Sequence, residues 1–419
     1  MTLAEAPPLP SSSFVAGIDV GTTKICTIIG CPQTDGRLEV IGVGLTPSAG
    51  LKRGIIVDRE DAIAAIRSSV EDAQKQAKVE VQEAYVGVTG AHISSVNVTG
   101  RTNVSPGPAI SEQDVQRAVQ SARDGVPLPQ DREIIHEVVR EFSVDGEEGV
   151  TRPVGMSARR LDVELHAVTG TVSIVENVER CVIDAGVEVA QRVLEPIATG
   201  MAVVTEAERD LGVILIDVGG GTSDVAVFID GSIAHTSAIP VGGNHTTRDI
   251  ARLLRVSFDE AEKLKCRYGR ALPDRIPEDE SVQVQLANGD QSEHVPLKLV
   301  AEIIEPRLEE TFALIRGNIK RAGTYEQASA GVVLSGGGSK LPETAALASR
   351  VLDDLPVRVG SPRGIIGMVD SVASPVYATG VGLALLAARE GAGKSAEPEG
   401  PQTLLQRLTQ WWESLLPRA

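Results

Sequence analysis

Apolar residues along this chain come mostly in short runs closed by glycine-rich turns, and only some stretches carry a helical period. From Phe14 the runs FVAGIDV, KICTIIG and LEVIGVGL each read as a buried strand. Asp58 then caps a helical stretch in which Ile63, Ile66, Val70 and Ala73 fall on one face. From about Thr89 to Leu165 the pattern changes. ISSVNVTG, a Pro/Gly break, a helix capped by Ser111 with Asp114, and the strand-like EIIHEVVREFSV predict a small α+β insertion. The first domain resumes near His166. Val213 opens a second β-rich set, VILIDVGGGTSDVAVFI and SIAHTSAI, followed by helices over NHTTRDIARLLRV and SFDEAEKLKCRYG and a long one from Pro296 to Ala322. A strand GVVLSGGG, a helix after Pro342 and a last helix ending near Glu390 complete this half.

The predicted organisation is therefore a Pro/Ser-rich, disordered segment over 1–13, a first domain over 14–88 and 166–212 interrupted by the insertion 89–165, a second half over 213–390, a polar linker over 391–402 and a final helix over 403–419. The fold class is α/β. AGIDVGTTKI and LIDVGGGTSDV are one device used near the start of each half, a buried strand ending in Asp, then a Gly/Thr/Ser turn, then another strand. Two halves that open alike suggest a duplicated domain with a cleft between the copies.

Composition narrows the functions. The 419 residues carry a net charge of −17, which argues against nucleic acid held by general electrostatic attraction. Cys26, Cys31, Cys181 and Cys266 are too few and scattered for a disulfide framework and are expected as small buried hydrophobes in a reducing cytoplasm. The N-terminal residues lack a basic n-region, so no signal peptide is expected, and no apolar run reaches the roughly 18 residues of a spanning helix. A soluble, cytoplasmic protein is expected. Aromatics are only 3% of the chain, yet its two tryptophans, Trp411 and Trp412, stand side by side in the final helix.

Taken alone, Asp-x-Gly is a common hairpin turn. As a pair, the turns can hold an anion. Glycines admit close approach, while amides and hydroxyls point at phosphate oxygens. Gly21, Thr22, Thr23 and Lys24 would form one clamp, and Gly219, Gly220, Gly221, Thr222 and Ser223 the other. Asp19 and Asp217, at the two strand ends, would face each other and repel phosphate unless a divalent cation intervened; Mg²⁺ suits that place, held partly through water. A third turn, Gly336-Gly337-Gly338, could let a flat ring lie on backbone, or be an ordinary strand–helix loop. Neither the dinucleotide-binding fingerprint nor a Walker A loop is present.

These motifs, in this order, resemble the actin, Hsp70 and sugar-kinase ATPase superfamily. GIDVGTTKI, LKRGIIVD, AYVGVTGAHISS, LEPIATGMAVVTE, IDVGGGTSD, VGGNHTTRDIA, AEKLKCRYG and LSGGGSKLP are similar to one branch, the FtsA family of bacterial cell division. The resemblance implies an actin-like fold of two large subdomains around ATP and Mg²⁺, with the insertion in place of actin's usual small subdomain. It implies catalytic roles for Asp19 and Asp217, the second helped by Asp224, and for Glu195 as the group that orients attacking water. Gly242, Gly243 and His245 would lie in a phosphate-side turn. Glu262 and Lys265 would reach ribose and adenine, unless they form only a surface i, i+3 pair. The implied partners are FtsZ, further copies in a filament, membrane lipid, and other division proteins through the insertion.

In the final helix Leu404, Leu405, Leu408, Trp411, Trp412, Leu415 and Leu416 fall within an arc of about 140°. Such a helix could dock on its own body, pair with a partner or lie in a bilayer interface, where Trp is favoured. The family resemblance implies the inner face of the membrane. Only Arg407 and Arg418 are basic there, so binding would rest on apolar burial, and polymerisation would multiply a weak anchor. The alternatives are an Hsp70-like chaperone ATPase, for which too little chain follows Gly338, a sugar kinase, for which no substrate base is evident, and an ATP-binding adaptor without significant turnover.

Overall fold

The computed structural model describes residues 14–394 apart from 105–108, 288 and 290. The expectations for 1–13, for most of the linker and for the helix 403–419 lie outside these residues.

Two sheets share one plan. In the first, the strand Val15–Val20 runs antiparallel to Lys24–Pro32 and parallel to Glu83–Val88, with Leu38–Pro47 and Glu188–Leu194 outside them. In the second, Val213–Val218 runs antiparallel to Ser223–Ile229 and parallel to Val332–Ser335, with Ser232–Ile239 and Val357–Val359 outside. The antiparallel neighbours follow directly as hairpins, whereas the parallel ones need crossovers, which the helices supply. Val213–Val218 and Ser223–Ile229 are buried at every position, as strands covered on both faces must be. On the first sheet the helix Arg59–Ala77 buries Ala62, Ala65, Ile66, Ser69, Val70 and Ala73, and Asp58 caps it by accepting from the Asp61 amide.

The insertion is a four-stranded antiparallel sheet in the order Ser94–Asn103, Arg160–Thr171, Arg132–Val144, Glu147–Val150. The helix Glu112–Asp124 closes one face of it, started by the Ser111–Asp114 capping box, around a core of its own containing Val115, Phe142, Leu161 and Leu165. It reaches beyond the expected boundary at 165. Arg160–Thr171 stays paired from Leu161↔Val144 to Thr171↔Arg132 across register shifts at Glu164/Leu165 and Val168/Thr169, so the chain returns to the first domain only at the helix Val172–Asp184. In the second half, a smaller layer gathers the helices Gly243–Leu254, Phe258–Tyr268 and Leu297–Arg321 with the hairpin Ser281–Gln285/Ser292–Pro296, around Phe312, Ile304 and Leu264.

The second half does not run to 390. The strand Ile365–Gly367 joins the first sheet beside Leu38–Pro47, and the helix Ala378–Lys394 packs on the first sheet. Small residues cause this return. A Cβ on Gly17 would stand 2.6 Å from Leu383 Cβ, and one on Gly382 only 1.8 Å from the Ala198 carbonyl oxygen. The last helix therefore meets both the central strand and the helix Glu195–Val203 at backbone distance. It also continues to Lys394, past the residue where the linker is expected; the Tyr85 hydroxyl donates to Glu390 Oε2 at 2.7 Å near that end. Among the cysteines Cys26 and Cys181 are buried and Cys31 is intermediate, but Cys266 is exposed, its thiol donating to Glu262.

Candidate active site

The repeated motif forms two hairpins of the same construction. In the first, Asp19 pairs with Cys26 and Val20 with Ile25, and the Gly21 amide closes the turn on the Lys24 carbonyl at 3.1 Å. In the second, Asp217 pairs with Asp224 and Val218 with Ser223, and the Gly219 amide closes on the Thr222 carbonyl at 3.0 Å. Equivalent positions are thus Thr22 with Gly220, Thr23 with Gly221, Lys24 with Thr222, and Cys26 with Asp224.

The two turns meet across the cleft. A Cβ on Gly220 would fall 2.1 Å from Thr23 Cγ2, and one on Gly221 2.9 Å from Thr22 Cγ2, so only glycine allows this approach. Gly242 and Gly243 are brought against the second turn, where the Gly243 amide donates to the Gly219 carbonyl at 2.9 Å and the Asn244 amide to Gly220 at 2.8 Å. The Gly243 amide is thereby spent on the hairpin. His245 turns back on its own helix start, with Nδ1 accepting from the Gly242 amide at 3.1 Å.

Four buried carboxylates, Asp19, Glu195, Asp217 and Asp224, line this place. Lys24 pairs with Asp19. Burial pulls the Lys24 ammonium down, but the charge and hydrogen bond of Asp19, together with Cys26 and Asp217, outweigh it and hold it above the usual range. Burial raises Asp217, against hydrogen bonds from Thr199 at 2.8 Å and Thr379 at 3.3 Å. Asp224 accepts from Thr89 at 2.5 Å and Thr222 at 3.2 Å, yet burial first, and then Asp217, push it up to about 7. Glu195 opens its helix, and its Oε1 has no hydrogen-bond partner. Burial, then the charges of Asp19, Asp224 and Asp217, raise it well above the carboxylate range.

These residues suit Mg²⁺. The donors are all oxygen, one ammonium paired with Asp19 stands among four acids, and Glu195 keeps an unsatisfied buried oxygen. Among the described residues no three ligand-type side chains converge closely enough to coordinate a metal directly, so the fit is to an ion held through water and phosphate.

Glu262 and Lys265 do more than pair on a surface. Lys265 Nζ bonds Glu262 Oε2 at 2.7 Å, Thr247 Oγ1 at 2.8 Å and the Gly243 carbonyl at 3.2 Å, which ties their helix to the Gly243 turn. Of the third glycine turn, Gly336 and Gly338 are explained by packing. Gly336 has φ of +77° and its Cβ would meet Asp217 Oδ1 at 2.2 Å, while that of Gly338 would meet Val218 Cγ1 at 2.4 Å. Only at Gly337 is there open space. Sequence reasoning missed Thr89, Thr199 and Thr379, the hydroxyls that hold the acids of the second hairpin. Thr199 stands inside the LEPIATG motif, one turn beyond Glu195, and that spacing was a usable signal.

Two copies of one hairpin-bearing sheet enclosing a cleft of acids define an actin-like ATPase fold. Solved structures of the same fold include the PilM–PilN type IV pilus biogenesis complex, with TM-score 0.63 and 15% identity covering 92% of this chain and 99% of that one. Another is MreB5 of Spiroplasma citri bound to ADP, with TM-score 0.56 and 12% identity covering 93% and 100%. A profile described as Cell division protein FtsA matches residues 214–382, and one described as the SHS2 domain inserted in FtsA matches 90–169. The Cell division protein FtsA of Pseudomonas aeruginosa is 36% identical over 412 residues, covering 96% of this chain and 98% of that one. That of Neisseria meningitidis is 37% identical over 409 residues, covering 96% and 98%, and that of Escherichia coli K12 32% over 410, covering 95% and 97%. The chain belongs to the FtsA family of cell division proteins.

Proposed function

We propose that this actin-like cell division protein binds ATP with Mg²⁺ between its two hairpins, polymerises on the inner face of the cytoplasmic membrane and tethers the FtsZ ring there. The observation that carries the reading is the meeting of two equivalent Gly/Thr turns above four buried carboxylates. The turns 21–24 and 219–223 would hold phosphates through amides and hydroxyls, with Lys24 turning from Asp19 to a phosphate oxygen. Asp19 and Asp217, with Asp224, would hold Mg²⁺ through water. Bound there, the ion supplies charge neutralisation for the phosphates. Glu195, with its free oxygen, would orient the attacking water, and slow turnover fits a site that depends on positioning alone. Glu262 and Lys265 would face ribose and base, with Gly337 giving the base room. The wide apolar face and paired tryptophans in the sequence of 403–419 support a peripheral anchor; no helix among the described residues is long and apolar enough to cross a membrane. FtsZ and other division proteins enter through family membership, the latter by way of the insertion.

Phosphate release and liposome pelleting test the two parts together. The expectation is Mg²⁺-dependent ATP turnover that Glu195→Ala abolishes while nucleotide binding persists, and pelleting of the full chain that truncation after Lys394 removes. Equal, negligible release by both proteins would leave an ATP-binding adaptor. Pelleting that survives truncation would sink the membrane anchor.

A further inference from the structure

Asp217 is held from two helices that are far apart in the chain. Thr199 lies on the helix Glu195–Val203, one turn beyond Glu195, and is fully buried. Thr379 lies in the first turn of the last helix and is 5% exposed. Both hydroxyls converge on Asp217 Oδ2, at 2.8 and 3.3 Å, and stand 2.9 Å from each other. A hydroxyl has one proton to give. Two protons thus serve three contacts: both hydroxyls donate to Oδ2, or one donates to the other, which donates to Oδ2. Oδ1 lies close against Gly336, where an added Cβ would stand only 2.2 Å from it. The equivalent acid of the first hairpin, Asp19, is instead held by Lys24.

The helices that carry the two hydroxyls cross in backbone contact. Gly382, three residues after Thr379 and on the same face, approaches Ala198 so closely that a Cβ there would sit 1.8 Å from its carbonyl oxygen. Thr199 is the next residue after Ala198. A contact this tight leaves no slack, so any shift of one helix along the other moves a hydroxyl relative to Asp217.

We infer that Thr199 and Thr379 are positioning residues, a hydroxyl clasp at the helix crossing that aims Asp217 at the metal–phosphate site and so sets how strongly Mg²⁺ supports nucleotide binding. The inference rests on the cleft reading above. The effect of the threonines is exerted through the direction of the Asp217 carboxylate.

The test uses the full chain and a fluorescent N-methylanthraniloyl-ATP, titrated with Mg²⁺ and, separately, measured in EDTA. Thr379→Val and Thr199→Val are expected to need about ten-fold more Mg²⁺ for half-maximal binding, the loss of one hydrogen bond to a charged group, with EDTA binding unchanged. Thr379→Ser restores the wild-type midpoint. Thr311→Val is the structural control: it removes a buried hydroxyl that donates to the Arg307 carbonyl at 2.8 Å, and is expected to lower the melting temperature without moving the Mg²⁺ midpoint. Should Thr379→Val fail to fold, Thr199→Val reads the same clasp from its other end. Valine variants with the wild-type midpoint, a serine variant that does not restore it, or an equal shift in Thr311→Val would each overturn the clasp while leaving the cleft reading intact. Wild-type binding that is indifferent to Mg²⁺ would overturn the cleft reading, and the clasp with it.

Discussion

Position by position, the hairpin of the first half and that of the second carry the same acid in different company. Asp19 has a lysine at the turn and a cysteine across the strand, whereas Asp217 has Thr222 and Asp224 in those places. At the tips the first hairpin offers Thr22 and Thr23, and the second offers the glycines that make room for them. The backbone was kept while the charge was divided: the first copy holds the cation and the second holds the extra acid. In the first copy Asp19 and Lys24 balance, whereas Asp217 and Asp224 leave the second with acid in excess, so the first copy holds the positive charge that faces both.

Three substitutions separate the copies. The largest effect belongs to Gly220→Ala, which drives a methyl into Thr23 and is expected to cost about 3 kcal/mol by overpacking, with the heaviest loss of nucleotide binding. Thr23→Gly in the same chain should recover much of it, and thermal unfolding of the single and double variants checks the coupling. Additive losses would mean that the tips do not meet.

Next comes Lys24→Met. It leaves Asp19 buried without its partner and is expected to lower ligand-free stability by about 2 kcal/mol, less than for a wholly buried pair because the Lys24 side chain is 22% exposed. Denaturant melts without nucleotide measure it, and an unchanged midpoint would refute the ion pair.

The third effect is smaller and of opposite sign. Burial first, and then the charge of Asp217, push the Asp224 carboxyl up to about 7 in the fold from the 3.8 of an ordinary aspartate, favouring its neutral form. Its contribution to stability is thus complete below pH 3.8 and is lost as pH rises through 7. Asp224→Asn escapes that loss and is expected to stabilise the ligand-free protein by on the order of 1 kcal/mol at pH 8, with little gain at pH 4, while weakening Mg²⁺-dependent binding. Melting curves across that range decide it; a gain independent of pH would place the cause elsewhere.

Much of this site was legible along the chain because its parts are local. A strand ending in Asp, a four-residue turn and a return strand can be read from one stretch, and the second copy shows that the first is no accident. The insertion was legible through its change of pattern, but its end was not. Arg160–Thr171 is one continuous β run, with nothing in its composition to mark where the sheet stops serving the insertion. Least legible was the fate of residues 365–394. A three-residue strand and a helix rich in small apolar residues carry no address, and what sends them to the first sheet is the close fit of Gly17 and Gly382 to distant backbone and of Gly380 to the side chains of Ile28 and Cys26. Thr379 reaches Asp217 only through that return, so its part in the site could not be read in advance.

The same return has a mechanical consequence. The helix that ends at Lys394 is seated on the first sheet, although it follows the second half in sequence. A pull on that end would enter the protein near the Tyr85–Glu390 bond and spread along the glycine-lined contact into the central strand that carries Asp19. At the far end of the load path stands Thr379, against the acid of the other half. Tension on the chain end and occupancy of the cleft would then be two forces acting on one lever.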